Sequence, residues 1–204
     1  MDAQLLPFLA VTSVVMLVPG PSVLFAVTQR LRSGPAAGAL AVLGLESGFA
    51  IHVGAACLGV SGLVAASDEL LRVLQVGGAA YLAHLGIRLL RGADHATVDD
   101  APAADRRLAR IYLAGLLVDL LNPKTVLFFV AVLPQFVDAD AGSVPSQSLL
   151  LGGSAVVMAL LVDGGYAVLA ARAVRRGVPP AAARWGRLAS GVAFFGLSAV
   201  ALLG

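Results

Sequence analysis

Six ionisable side chains of this chain sit inside long apolar stretches: Glu46, His52, His84, Asp119, Lys124 and Asp163. In hydrocarbon such groups are costly and mark solute pathways or proton relays. Lys124 is the only lysine among 14 Lys+Arg residues. An ammonium beside two or three carboxylates suits the carboxylate and amine of a zwitterion, and it also suits a site that takes up and releases protons. Asp119 and Asn122 are three residues apart and share a helix face. The plainer alternative for Glu46 and Asp119 is a structural ion network, and for His52 and His84 packing or hydrogen bonding. No His, Cys and carboxylate set has metal-ligand spacing. There is no Gly-x-Ser-x-Gly elbow, Walker A loop or nucleotide fingerprint. The residues therefore point away from an enzyme, a metal, a cofactor and ATP-driven pumping. An aspartyl dyad from Asp119 and Asp163 has no supporting motif.

The elements that must position these groups are interrupted helices. Leu121-Asn122-Pro123-Lys124-Thr125-Val126-Leu127-Phe128 can be laid over Val18-Pro19-Gly20-Pro21-Ser22-Val23-Leu24-Phe25. Pro19-Gly20-Pro21 then falls on Asn122-Pro123-Lys124, and Ser22 meets Thr125. Proline removes a backbone donor and clashes with the preceding turn. In a bilayer such a break is tolerated only where protein or a watery cavity satisfies the freed carbonyls. Two broken helices at matching places in two halves point to a transporter's binding site. The expected substrate-binding residues are Pro19, Gly20, Pro21, Asn122, Pro123 and Lys124, with Glu46, Asp119 and Asp163 as the proton-coupling or ion network.

Composition places these breaks in a membrane. Of 204 residues 59% are hydrophobic and 13% charged, with a mean hydropathy of +0.91, whereas a soluble domain carries about a quarter charged residues. Six windows are long enough to span: roughly Leu5–Thr28, Ala36–Ala65, Leu70–Leu90, Ile111–Val137, Ser148–Ala171 and Trp185–Leu203. Asp2 stands where a signal peptide would have a basic region, so Leu5 onward reads as a first span. With six spans, one side receives twelve arginines and the other only Arg72, alongside Asp2, Asp68, Glu69, Asp138 and Asp140. The positive-inside rule puts the arginines in the cytoplasm and both termini outside. Three spans per half invert the second half, giving repeats over about 1–90 and 111–204 joined by a solvated loop over 91–110. Gly78-Ala79-Ala80-Tyr81-Leu82 against Gly191-Val192-Ala193-Phe194-Phe195 adds to that match.

Span two carries Gly34-x-x-x-Gly38 and Gly44-x-x-x-Gly48, a spacing that lets helix backbones approach closely. Tight internal packing, a cavity wall or a homodimer contact would each use it. Cys57 is alone, which excludes an intrachain disulfide and reads as a buried thiol.

Pro19-Gly20-Pro21, Gly78-Ala79-Ala80-Tyr81-Leu82 with Leu85-Gly86, and Gly115-Leu116-x-x-Asp119-x-x-Asn122-Pro123-Lys124 resemble the LysE/RhtB family of amino-acid exporters. Phe128 through Val137, with its Leu-Pro-Gln-Phe, extends the resemblance over nearly the whole chain. It implies six spans in a bacterial inner membrane and efflux of amino acids or their derivatives, driven by protons. Asp163 and Tyr166 resemble a frequent family feature. Glu46 lies outside the pattern, and Gln75 stands where many relatives have lysine. The expectation is an all-α protein of six transmembrane helices, two inverted three-helix repeats with spans one and four broken. It would export a small amino acid in exchange for protons by alternating access. The alternatives are a cadmium-like metal exporter and a non-transporting assembly or regulatory module. Nothing in the charge pattern calls for nucleic acid.

Overall fold

The computed structural model describes residues 2–59 and 101–175, with isolated positions at 69, 72–73, 76, 80, 83–84, 87 and 192. Most of windows Leu70–Leu90 and Trp185–Leu203, Gln75, and the Gly78–Leu82 against Gly191–Phe195 match lie outside the described residues. The described chain is helical and has no strand. In order come α1 (Asp2–Leu17), α2 (Pro21–Cys57), α3 (Ala101–Leu120), α4 (Pro123–Leu127), a π turn (Phe128–Val132), two 3₁₀ turns (Leu133–Phe136 and Ala139–Ala141) and α5 (Val144–Arg175). α3 starts at Ala101, inside the segment expected as loop, because Ala101-Pro102-Ala103-Ala104 puts proline in a first helical turn and follows it with good helix formers.

Two helices, α2 and α5, are long and apolar enough to cross a membrane, and the pair Arg106–Leu120 and Pro123–Phe136 forms a third candidate bent by 45°. α2 itself is two rods. Gly34 has φ 86° and ψ −172°, a region open essentially to glycine alone. There the chain reverses: a methyl on Gly38 would meet the Cα of Arg30 at 3.0 Å, although eight residues of straight helix span about 12 Å. The second arm, residues 35–57, is long enough to span alone.

Side-chain neighbours fix how the broken segments run. Phe8 lies 5.4 Å from Phe136. Gly20 faces the Lys124 stem, and Phe25 faces Gly115. Ser33 accepts a bond from Arg107 at 2.8 Å. As α1 and the first arm of α2 advance from residue 8 to 33, their neighbours retreat from 136 to 107. The two interrupted segments are antiparallel and cross break to break.

Lipid is as apolar as leucine, so packing rather than water exclusion holds such helices together. The second arm of α2 meets α3 through glycines. A methyl on Gly48 would sit 2.8 Å from the Leu116 carbonyl, and one on Gly115 2.6 Å from the Ala41 carbonyl. The Gly44-x-x-x-Gly48 stripe is thus spent on contact within the chain. Below the breaks, Phe8, Phe49, Phe128 and Phe129 form one buried cluster with Val53, Leu133 and Leu151. Phe49 and Phe129 meet edge-on at 4.9 Å. Outward faces stay apolar, with Leu6, Val14, Leu161 and Leu169 all exposed.

Candidate functional site

The site is built from two helix starts. α1 ends at Leu17, and α2 begins at Pro21 with Gly20 as its N-cap. Pro21 cannot donate to the Leu17 carbonyl, and the turn over Val18–Gly20 breaks the next bond. α3 stops at Leu120, and α4 begins at Pro123 with Asn122 as its N-cap. Each proline takes the first helical position, where its missing N–H costs least.

Side chains from the opposite break and from α5 fill the gaps. Lys124 Nζ donates to the Val18 carbonyl at 2.6 Å. Tyr166 on α5 donates to the Leu17 carbonyl at 2.8 Å. Asn122 Oδ1 accepts from the Lys124 backbone N–H at 3.0 Å, capping α4, and its Nδ2 donates to Ser22 Oγ at 3.0 Å. Ser22 passes the bond on to Asp119 Oδ1 at 3.1 Å. Thr125 donates to the same oxygen at 3.0 Å. Ser22 and Thr125, the hydroxyls that fall together when the two stretches are superposed, thus converge on one carboxylate oxygen.

Asp119, Asn122 and Thr125 are buried at 3%, 2% and 5% exposure, with Glu46 and Asp163 each at 7%. Oδ2 of Asp119 and Oε2 of Glu46 are buried without a partner among the described residues. Glu46 on α2, Asp119 on α3, Asp163 on α5 and Lys124 on α4 all border one small cavity of about 30 Å³. Gly20, Ser22, Asn122 and Thr125 complete its polar side, and Val15, Met16, Phe49, Phe128 and Ala159 its apolar side. The space is enough for a few water molecules.

Of the residues expected from the sequence, Gly20, Asn122, Lys124, Glu46, Asp119 and Asp163 border the cavity, and Pro19, Pro21 and Pro123 do not. The prolines set the backbone turns instead. His52 stacks on Phe129 at 5.5 Å and lies beside the Asp119 and Leu120 carbonyls at the α3 break. Cys57 is a free, half-buried thiol whose Sγ lies 3.5 Å from the Pro145 carbonyl. Ser22 and Thr125 were not among the expected site residues, although a hydroxyl at the same place after each break was the available signal. Phe49 and Phe128 gave none, since phenylalanines on apolar helices look alike in sequence. Among the described residues no group of three His, Cys, Asp or Glu side chains is disposed to hold a metal.

Antiparallel broken helices meet over one small cavity lined by three carboxylates and an ammonium. The chain belongs to the LysE type translocator family, whose model matches residues 13–204. It is 30% identical over 165 residues to a homoserine/homoserine lactone efflux protein of Salmonella typhi, covering 81% of this chain and 79% of that protein. Similarity extends to two uncharacterized membrane proteins. YrhP of Bacillus subtilis is 31% identical over 166 residues, covering 78% of this chain and 79% of its own length. One of Vibrio cholerae is 34% identical over 169 residues, covering 82% and 80%. No solved structure matches the chain.

Proposed function

We propose that this protein is a secondary exporter of a small amino acid or amino-acid derivative across a bacterial inner membrane, exchanging it for protons by alternating access. The observation that carries the reading is the meeting of the two breaks. A lone ammonium, three buried carboxylates and two interrupted backbones share one small cavity. The efflux protein of Salmonella typhi, named for homoserine and homoserine lactone, puts those solutes first among candidates.

Each side chain has a place in such a cycle. The start of α2, with no side-chain cap of its own, offers backbone amides to a solute carboxylate, and the helix dipole favours an anion there. Asp119, Asp163 and Glu46 accept a solute amine or, in its absence, protons, so amine and protons compete for the same oxygens. That competition links outward solute movement to inward proton movement. With six spans and inverted repeats, the antiparallel broken segments are spans one and four. The cytoplasmic end carries Arg30, Arg32, Arg106, Arg107 and Arg110, and both termini lie outside.

The purified protein in detergent, heated against a panel of amino acids and derivatives including homoserine and its lactone, tests the class of solute. A ligand present well above its Kd raises the melting temperature by about 2–4 °C per kcal/mol of binding linkage. We expect a shift for a few related amines and its loss in Asp163→Asn. A flat response to the whole panel would favour an assembly module instead.

A further inference from the structure

We infer that Lys124 is a tethered stand-in: its ammonium occupies the subsite that a solute's primary ammonium takes at the Val18 carbonyl. The inference rests on the transport reading for its physiological meaning and on geometry for its site.

Three observations carry it. First, the ammonium is aimed at a carbonyl although carboxylates are at hand. Asp163 and Asp119 are near enough to act on it electrostatically, yet Nζ bonds Val18 O at 2.6 Å. That oxygen lies one residue past the end of α1, where the helix dipole is negative and favours a cation. Second, the subsite is prepared. Tyr166 holds the adjoining Leu17 carbonyl at 2.8 Å, and Gly20 leaves room for the lysine stem: a methyl there would stand 3.3 Å from Lys124 Cδ. Third, acceptors on the cavity that Lys124 also lines are not used up. Glu46 Oε2 and Asp119 Oδ2 are buried without partners among the described residues, and both residues border the same cavity. A primary ammonium has three N–H donors, and Lys124 Nζ makes one hydrogen bond among the described residues.

Lys124 is half-buried on a flexible four-carbon stem, so its head group can leave. An incoming amino acid places one N–H of its ammonium on the Val18 carbonyl and turns the others toward the cavity carboxylates, and released Lys124 joins the α2 amides at the solute carboxylate. On release, Lys124 folds back and reseals the α1 end. The end of α1 is thus not left without a cation, and the return step needs no solute.

The test is chemical replacement of the missing ammonium. Lys124→Ala protein in detergent is heated with ethylammonium chloride, and in parallel with tetramethylammonium chloride and sodium chloride at equal ionic strength. Ethylammonium should raise its melting temperature by about 2–4 °C over both controls, while wild-type protein shows no such difference. Tetramethylammonium carries the charge without N–H donors and should do nothing specific. Equal responses of Lys124→Ala to all three salts would overturn the inference, as would an equal ethylammonium shift in wild type. Should Lys124→Ala fail to fold, Lys124→Met retains most of the stem and is read the same way. Amino-acid transport by wild type combined with indifference of Lys124→Ala to ethylammonium would sink this inference alone. A specific ethylammonium response without any transported solute would sink only the exporter.

Discussion

Asn122 does two jobs with one amide. Its oxygen caps α4 through the Lys124 N–H, and its nitrogen holds Ser22 on the opposite break. Losing an N-cap costs about 0.5–2 kcal/mol, and a buried partner left unsatisfied costs about 1–3 kcal/mol more. Asn122→Ala should therefore lower the melting temperature of the detergent-purified protein by several degrees, about 2–4 °C per kcal/mol. Asn122→Asp keeps the acceptor and loses the donor, so it should fall between wild type and alanine. The importance of this residue was legible in sequence because asparagine before proline is a helix-start signal. Its partner was legible only through the superposition that pairs Ser22 with Thr125. What could not be read was the direction of Lys124. A lysine among carboxylates suggests an ion pair, and its bond to a backbone carbonyl depends on how closely Gly20 lets the stem pass.

Helix pairs in this protein are set by where backbones can touch. Gly48 faces the Leu116 carbonyl, which cannot yield as a flexible side chain would, whereas Gly54 meets nothing within 4 Å among the described residues. Gly48→Ala should push α2 from α3 at a cost of about 1–3 kcal/mol. Gly54→Ala should be neutral or stabilising by up to about 1 kcal/mol, since alanine is the better helix former. Thermal unfolding of the pair checks this, and equal losses would contradict the packing. Gly34 is different, because its φ of 86° rather than its neighbours demands glycine. The glycine spacing showed close packing in advance but could not choose its partner, since α3, a dimer mate and the cavity all suit a small-residue stripe. The turn at Gly34 was legible as a boundary between apolar windows. The π turn over Phe128–Val132 was not. It arises where Pro134 withholds a donor, so Leu133 reaches back to the Phe128 carbonyl and Gln135 returns an amide to Ala131 at 2.6 Å.

Among the described residues, basic and acidic groups lie at opposite ends of the broken segments. Ser33 and Arg107 mark the basic end, where α2 reverses and α3 enters. Asp138 and Asp140 mark the other, where Asp138 exchanges backbone bonds with the Gln147 side chain at 3.0 and 2.7 Å. In intact cells carrying Cys57→Ser, a membrane-impermeant maleimide should label Asp140→Cys and spare Arg106→Cys until the cells are opened. The reverse pattern would turn the proposed topology over. Apolar windows and arginine placement made helical class and membrane setting readable from composition. The antiparallel crossing of the breaks needed three-dimensional neighbours, because matching stretches alone do not say that the two copies touch. Counterflow of labelled homoserine in proteoliposomes, or of whichever amine stabilises the protein, probes that crossing as the transport site. Charged hydrogen bonds contribute about 1.5–3 kcal/mol, so Lys124→Ala and Asp163→Asn should each slow exchange about tenfold or more. Full-rate exchange in both variants would contradict the account.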